Sequence, residues 1–189
     1  DQIGVFGRCL EDVALLTDSL SGHDAADKKS YARAKPDLGA GCRAEAPVEP
    51  KFVWFELPFD DRLADDARAG FGELHEALGE QVETIALPGS LGNIIDHHRV
   101  IHQYEMRRHL AREFEDHPGQ LSPFLRDVLT QAEAHDDEHY AHSLAAMQAA
   151  KSFFAELFHD FDAILTPSAA GEAPVGLERT GDPIFCTMW

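Results

Sequence analysis

The stretch Phe161-Asp162-Ala163-Ile164-Leu165-Thr166-Pro167 combines a short apolar run with the proline that ends it. Consecutive apolar residues next to a polar turn predict a buried strand, and a proline cannot donate the backbone hydrogen bond that would extend that strand. Two other stretches share this character. Phe52 to Glu56 is aromatic and β-branched, and Val82 to Leu87 alternates apolar and polar residues before Pro88. The chain is therefore predicted to contain three short strands.

Helical periodicity occupies the intervals between these strands. Gly22 is expected to end the first helix as its C-cap, and Asp60 with Asp61 to cap the helix that follows the first strand. Ser122 with Pro123 predicts a further helix start, because serine caps an N-terminus and proline suits the first turn. The predicted helices cover residues 10–20, a segment after Asp61 with Leu63, Ala67, Phe71, Leu74 and Leu78 on one face, 94–115, a segment after Pro123, and 137–159 with Leu144, Met147, Phe154 and Phe158 toward the core.

Alternating helices and strands are typical of the α/β class, with helices packed on a mixed β-sheet. Residues 23–50 lack periodicity and are predicted to be a surface connection, whereas residues 166–189 are rich in Pro and Gly and are expected to wrap a surface or a pocket rim. Three short strands are too few for a sheet that is covered on both faces. Residues 1–189 are therefore interpreted as a single partial domain that extends a larger sheet, truncated at its N-terminal side and also at its C-terminal side.

Composition excludes several function classes. The chain has 34 acidic and 16 basic residues and a formal net charge of −18. Nucleic-acid backbones and anionic membranes attract clustered Lys and Arg, so neither is an expected partner. No apolar run approaches the roughly 18 residues of a membrane span. Cys9, Cys42 and Cys186 form neither a disulfide framework nor a CxxC metal pair, which favours a reducing cytoplasm.

Four segments, in their order along the chain, resemble the C-terminal half of the amidase signature family. The first is a glycine-jointed loop that leads into a helix, and the second is a strand-helix-strand unit. The third ends in the strand before Thr-Pro, and the fourth leads toward a further Gly/Pro strand. These segments are Asp1 to Leu16 with Gly4, Gly7 and Arg8, then Phe52 to Leu87, then Phe158 to Pro167 followed by Ala173-Pro174, and finally Gly181 to Trp189.

The resemblance implies a hydrolase of carboxamide C–N bonds. Members of the family use a Ser nucleophile, a second Ser on a cis peptide as proton relay, and a Lys base, and they need no cofactor. This chain contains no Ser-Ser pair. Its lysines match no catalytic position of the family, so no catalytic residue is assigned and the chain alone is expected to be inactive. These lysines are Lys28, Lys29, Lys35, Lys51 and Lys151.

The C-terminal half of such enzymes also shapes the pocket for a small-molecule amide. By position, the predicted pocket residues are Tyr104, Glu105, Asp182, Phe185 and Trp189. Ordinary helix packing remains the alternative for Tyr104 and Glu105, and core packing remains the alternative for Phe185 and Trp189. A protein partner would be a second copy of the chain or the remainder of its own domain.

Two other functions stay open. The glutamine-using relatives within tRNA-dependent amidotransferases carry an Arg on the helix before the Thr-Pro strand, but residues 145–150 here contain none. The other alternative is a metal-binding helical module, since His135, His139 and His142 are spaced as on one helix face and His98 with His102 form a second pair. Asp136 is expected to begin the helix, which would leave His135 outside it, so no metal ligand is assigned.

Overall fold

The computed structural model describes residues 3–27, 30–178 and 180–189, which form two units, Asp1–Glu49 and Pro50–Trp189. Asp1, the first residue of the predicted N-terminal loop, lies outside the described residues, as do Lys28 and Lys29. The two units are described separately below.

The first unit contains two helices, α1 (Leu10–Leu20) and α2 (Leu38–Gly41). Helix α1 confirms the predicted helix, although Ser21, rather than Gly22, is its C-cap. Helix α2 lies within the stretch predicted to be an irregular connection. It begins there because the Asp37 carboxylate accepts a hydrogen bond from the Ala40 N–H at 2.7 Å, which is typical of an N-cap.

The second unit is built on a three-stranded sheet in the order β2–β1–β3, with strands β1 (Phe52–Glu56), β2 (Val82–Ala86) and β3 (Ala163–Leu165). Phe52 lies opposite Val82 on one side and opposite Ala163 on the other. The α/β class and all three predicted strands are confirmed. The described strands are all parallel, whereas a mixed sheet was expected.

Helices α3 (Asp65–Leu78), α4 (Ile94–His109), α5 (Ala111–Asp116), α6 (Pro123–Gln131), α7 (Asp137–Leu157) and α8 (Ile184–Thr187) complete this unit. Ser122 caps α6 as predicted, because its Oγ accepts a hydrogen bond from the Leu125 N–H. The predicted helix over residues 94–115 is interrupted, since Leu110 leaves the helical conformation between α4 and α5.

The prediction that Asp60 and Asp61 cap α3 is wrong. Asp60 begins a single 3₁₀ turn, and its carboxylate accepts a hydrogen bond from the Leu57 N–H at 2.9 Å instead. Helix α3 then starts at Asp65 after an extended Ala64. The turn therefore separates the end of β1 from α3.

The core of the second unit lies between the sheet and the helices. Along β1, Val53 and Phe55 are both fully buried. Met147 and Phe154 of α7 pack against this core as predicted. Leu144 and Phe158 do not, since they are 43% and 51% exposed. The other buried members of the core are Leu57, Phe59, Leu63, Leu91, Ile94, Ala150, Phe185 and Met188.

Among the helices of the described ranges, none combines the length and the apolar character that crossing a bilayer requires.

Candidate functional site

A cavity of about 750 Å³ opens where β3 ends. Its walls are two arms of the chain, residues 168–174 and 180–186, which we call the first arm and the second arm. In α/β proteins with parallel strands, ligands bind in the crevice outside the carboxyl ends of the strands. The cavity lies at that end of β3, because the first arm begins directly after Thr166 and Pro167.

The chemistry of this cavity is set by small side chains and two carboxylates. No lysine or arginine contributes to its wall among the residues that the structure describes. The cavity therefore favours a compact, uncharged or cationic group. The lining residues are Ser168, Ala169, Ala170, Gly171, Glu172, Ala173, Pro174, Thr180, Gly181, Asp182, Pro183 and Cys186.

A second cavity of about 780 Å³ lies between α7, β3 and the C-terminal residues, and most of its wall is apolar. Its polar features are few. The Thr166 Oγ1 atom is buried without a hydrogen-bond partner, and Lys151 contributes to the wall. The apolar lining residues include Met147, Phe154, Phe158, Ile164, Met188 and Trp189.

Of the predicted pocket residues, Asp182 lies in the first cavity and has both carboxylate oxygens engaged. Its Oδ1 accepts a hydrogen bond from the Ile184 N–H at 3.1 Å, and its Oδ2 pairs with Arg62 Nη2 at 3.1 Å. Asp182 therefore fixes the second arm to the start of α8 and to Arg62. No local pattern indicated a role for Arg62, because the pairing joins residues that are distant along the chain.

Phe185 and Trp189 are close in sequence but play different parts. Phe185 is fully buried in the core, where its ring meets Phe59 edge-on at 5.3 Å between centroids. Trp189 is half exposed, contributes to the second cavity, and contacts the rings of Phe55 and Phe154. Trp189 is thus available at a cavity wall, while Phe185 belongs to the core behind the second arm.

Tyr104 and Glu105 lie at the contact between α4 and α7, and neither lines either cavity. The Tyr104 hydroxyl donates to the Asp137 carboxylate, and its ring stacks on Tyr140 with centroids 4.2 Å apart. Tyr140 in turn donates to Glu105 Oε1 at 2.7 Å. This hydrogen bond is the main reason why the pKa of Tyr140 is raised above its ordinary value of 10.0; burial adds to it.

The histidines serve structural contacts. Asp136 is the N-cap of α7, which confirms that His135 lies outside that helix, where its Nε2 is 2.8 Å from Gln103 Oε1. His98 and His102 stack on one face of α4, and burial of His98 lowers its pKa, with His102 and Arg99 adding to the effect. Within the described ranges, no group of three or more His, Cys, Asp or Glu side chains converges as a metal site would require.

Solved structures of amidases share this fold. A crystal structure of an amidase superposes on 90% of this chain with a TM-score of 0.65 at 23% identity, covering 36% of that protein. A structure described as a vestigial protein complex that reveals the origins of an s-triazine catabolic enzyme gives a TM-score of 0.75 over 89% of this chain and 36% of its own, at 21% identity. A 6-aminohexanoate cyclic dimer hydrolase gives 0.64 over 94% and 40%, at 20% identity.

Sequence relatives point the same way. The GatA-type component of the glutamyl-tRNA(Gln) amidotransferase of Granulibacter bethesdensis is 26% identical over 214 aligned residues, which cover 97% of this chain and 42% of that protein. Its counterpart in Pseudomonas putida strain F1 is 35% identical over 119 residues, or 59% of this chain and 23% of the relative. The chain belongs to the amidase signature family. No protein-family model matches it.

This amidase signature chain spans about a quarter to two fifths of the length of these relatives. The resemblance predicted from its four segments is confirmed, and so is the amidase fold of the described residues. The comparisons leave the predicted pocket residues untested, so their role stays a prediction.

Proposed function

We propose that this chain is the pocket-shaping part of an amidase that hydrolyses carboxamide C–N bonds to a carboxylate and ammonia or an amine. The observation that supports this most strongly is the first cavity, which lies at the carboxyl end of β3 in a chain of amidase fold. Because relatives are more than twice as long as the aligned part, we propose that the rest of the domain supplies the catalytic groups.

The proposed reaction follows the resemblance. A Ser nucleophile adds to the amide carbonyl, a second Ser on a cis peptide relays the proton, and a Lys acts as base, so that the amine leaves and water then hydrolyses the acyl-enzyme. None of these groups is assigned to this chain. Its contribution is to hold the acyl group in one orientation and to exclude water, which lowers the entropic part of the barrier.

Within the proposed pocket, Asp182 and Trp189 are the residues best placed to meet a substrate, since each contributes to a cavity wall. Phe185 is proposed to back the second arm from the core. Tyr104 and Glu105 are proposed to support the pocket through the α4–α7 contact rather than to line it, because α7 engages their polar atoms.

The proposal is tested by comparing the chain with its full-length parent on a panel of amides that differ in acyl group. We expect turnover by the parent, with trapping of an acyl-enzyme on Ser, and none by the chain alone. Ser-dependent turnover by the chain alone would contradict the assignment of catalysis to other residues. A folded parent that hydrolyses no amide would contradict the proposed reaction itself.

The second candidate is the amidase component of a glutamine-dependent aminoacyl-tRNA amidotransferase, and the names of the sequence relatives favour it. Residues 145–150 argue against it, because they lack the Arg that those relatives are expected to carry there. Co-purification of the parent with partner proteins, together with hydrolysis of glutamine that depends on them, would favour this candidate. A parent that is active on simple amides without partners would favour the stand-alone amidase.

We also propose that the protein works in the cytoplasm, where a reducing environment keeps thiols free. Cys9, Cys42 and Cys186 are all free cysteines in the structure.

A further inference from the structure

The segment Arg62-Leu63-Ala64, between the 3₁₀ turn and α3, contacts both arms of the first cavity. Leu63 is buried in the core, so the segment has a fixed position in the second unit. Arg62 and Ala64 flank this buried residue, and one holds the second arm while the other holds the first. We call these three residues the anchor segment.

The first arm is held at Ala170 and Gly171. The Ala64 N–H donates to the Ala170 carbonyl at 2.7 Å. At the next residue, a Cβ added to Gly171 would lie 2.8 Å from the Ala64 Cβ, a distance that real Cβ atoms do not tolerate. The first arm therefore approaches the anchor segment as closely as it does because position 171 is a glycine.

The second arm is held by the ion pair between Arg62 Nη2 and Asp182 Oδ2 at 3.1 Å. Both side chains are substantially exposed, and exposed ion pairs are weak. The steric contact and the backbone hydrogen bond at the first arm are therefore the stronger of the two attachments.

We propose that the anchor segment is the positioning element of this cavity, and that the close contact between Ala64 and Gly171 sets its width and thereby the size of the acyl group that it accepts. This inference rests on the proposed amidase function for the identity of the occupant. The small lining residues, with carboxylates on Glu172 and Asp182, suit a compact neutral or cationic acyl group.

The position of the arms can be measured without any substrate. Cys186 lines the cavity, and its thiol donates to the Ser168 carbonyl at 2.8 Å, so its alkylation rate reports whether the arms stay together. The measurement uses the whole chain with Cys9→Ser and Cys42→Ser as background. Circular dichroism checks that each variant folds.

Gly171→Ala should increase the alkylation rate of Cys186 about fivefold or more, because losing contacts of this kind shifts a local equilibrium by such factors. Adding Ala64→Gly removes the opposing Cβ and should return the rate to within about twofold of the background, since glycine is tolerated at an N-cap. An unchanged rate in folded Gly171→Ala, or a raised rate that Ala64→Gly does not reverse, would overturn the proposal.

Ala64→Pro supplies a second test, needed if Gly171→Ala does not fold. Ala64 has φ −61° and Leu63 has ψ 126°, which both suit a proline at position 64. Proline removes the N–H that the Ala170 carbonyl accepts, so the alkylation rate of Cys186 should again rise. A folded Ala64→Pro variant with the background rate would contradict the anchoring of the first arm.

The same substitutions in the full-length parent test the consequence for substrates. Across a series of amides with lengthening neutral acyl groups, Gly171→Ala should change KM and the preferred length while kcat for the smallest amide is retained, and Ala64→Gly should restore the original profile. An unchanged length profile in an active parent would overturn this inference alone. A wild-type parent without amidase activity would refute the proposed function and leave the alkylation result to decide the anchoring.

Discussion

Asp162 and Lys51 are joined by two hydrogen bonds. The Asp162 N–H donates to the Lys51 carbonyl at 2.8 Å, and the Lys51 N–H donates to Asp162 Oδ2 at 2.9 Å. These residues immediately precede β3 and β1, whose first residues, Ala163 and Phe52, lie opposite each other. The pair therefore fixes the register of two parallel strands at their amino ends, and with it the point at which β3 reaches the cavity.

Asp162→Ala should lower the free energy of unfolding of the second unit by about 1 kcal/mol, the net value of one such hydrogen bond. Asp162→Asn keeps an acceptor oxygen and should lose less. Urea titration followed by tryptophan fluorescence measures this, because Trp54 and Trp189 both belong to the second unit. Asp160→Ala, at an exposed position two residues earlier, is the matched control. Equal losses in the Asp162→Ala and Asp160→Ala variants would show that the pair does not stabilise the register.

Phe55 should be the most sensitive position of the sheet. It is 2% exposed, and its ring lies near those of Phe153, Phe154 and Trp189. Phe55→Ala is expected to cost about 3–5 kcal/mol, because it leaves a cavity in a packed core. Phe124→Ala makes the same chemical change at a position that is 77% exposed and should stay within about 0.5 kcal/mol of wild type.

Thermal and urea unfolding of both variants check this contrast. Should Phe55→Ala fail to accumulate as folded protein, Phe55→Leu, which removes less volume, is expected to show a smaller loss in the same direction. Comparable stability of Phe55→Ala and Phe124→Ala would mean that the packing of α7 on β1 is not what stabilises the second unit.

Local patterns predicted the elements of this fold well where the determinants are local. The apolar strand before Thr166 and Pro167 and the Ser122 cap depend on neighbours in sequence, and the structure has both. Asp60 was misassigned as a cap because its carboxylate turns back to the Leu57 N–H. That choice depends on how the chain leaves β1, which residue types alone do not reveal.

The site was less predictable because long-range contacts build it. Asp182 was recognised only by its position, while Arg62 and Ala64, which hold the arms, carry no local signal. Phe158 has the helical spacing of a core residue but follows the end of α7 and is exposed. Periodicity can assign a residue to a helix face, but only the tertiary arrangement decides whether another element covers that face.

His98 should make the stability of the second unit depend on pH. Burial, helped by His102 and Arg99, lowers the pKa of His98 below its ordinary value of 6.5. The unfolded chain therefore binds this proton at a higher pH than the folded chain does, and the free energy of unfolding falls as the pH drops from about 6.5 toward the folded pKa. His98→Gln should remove this part of the pH dependence.

Urea midpoints above and below pH 6.5, together with an NMR titration of the His98 ring, measure the effect. His102→Gln removes one of the neighbours that lower the pKa, so the pKa of His98 should move back toward its ordinary value. An identical pH profile for wild type and the His98→Gln variant would contradict the assignment.

Glu105→Gln separates packing from substrate contact at the α4–α7 interface. The hydrogen bond from Tyr140 to Glu105, with burial and the negative charge, raises the pKa of Tyr140 above 10.0. Removing the charge should lower the pKa of Tyr140 toward that value, as followed by ultraviolet absorbance with Tyr140→Phe to identify the signal. Because Glu105 lines neither cavity, KM for amides in the full-length parent should stay within about twofold of wild type. A clear rise in KM with the Tyr140 titration unchanged would instead place Glu105 against the substrate.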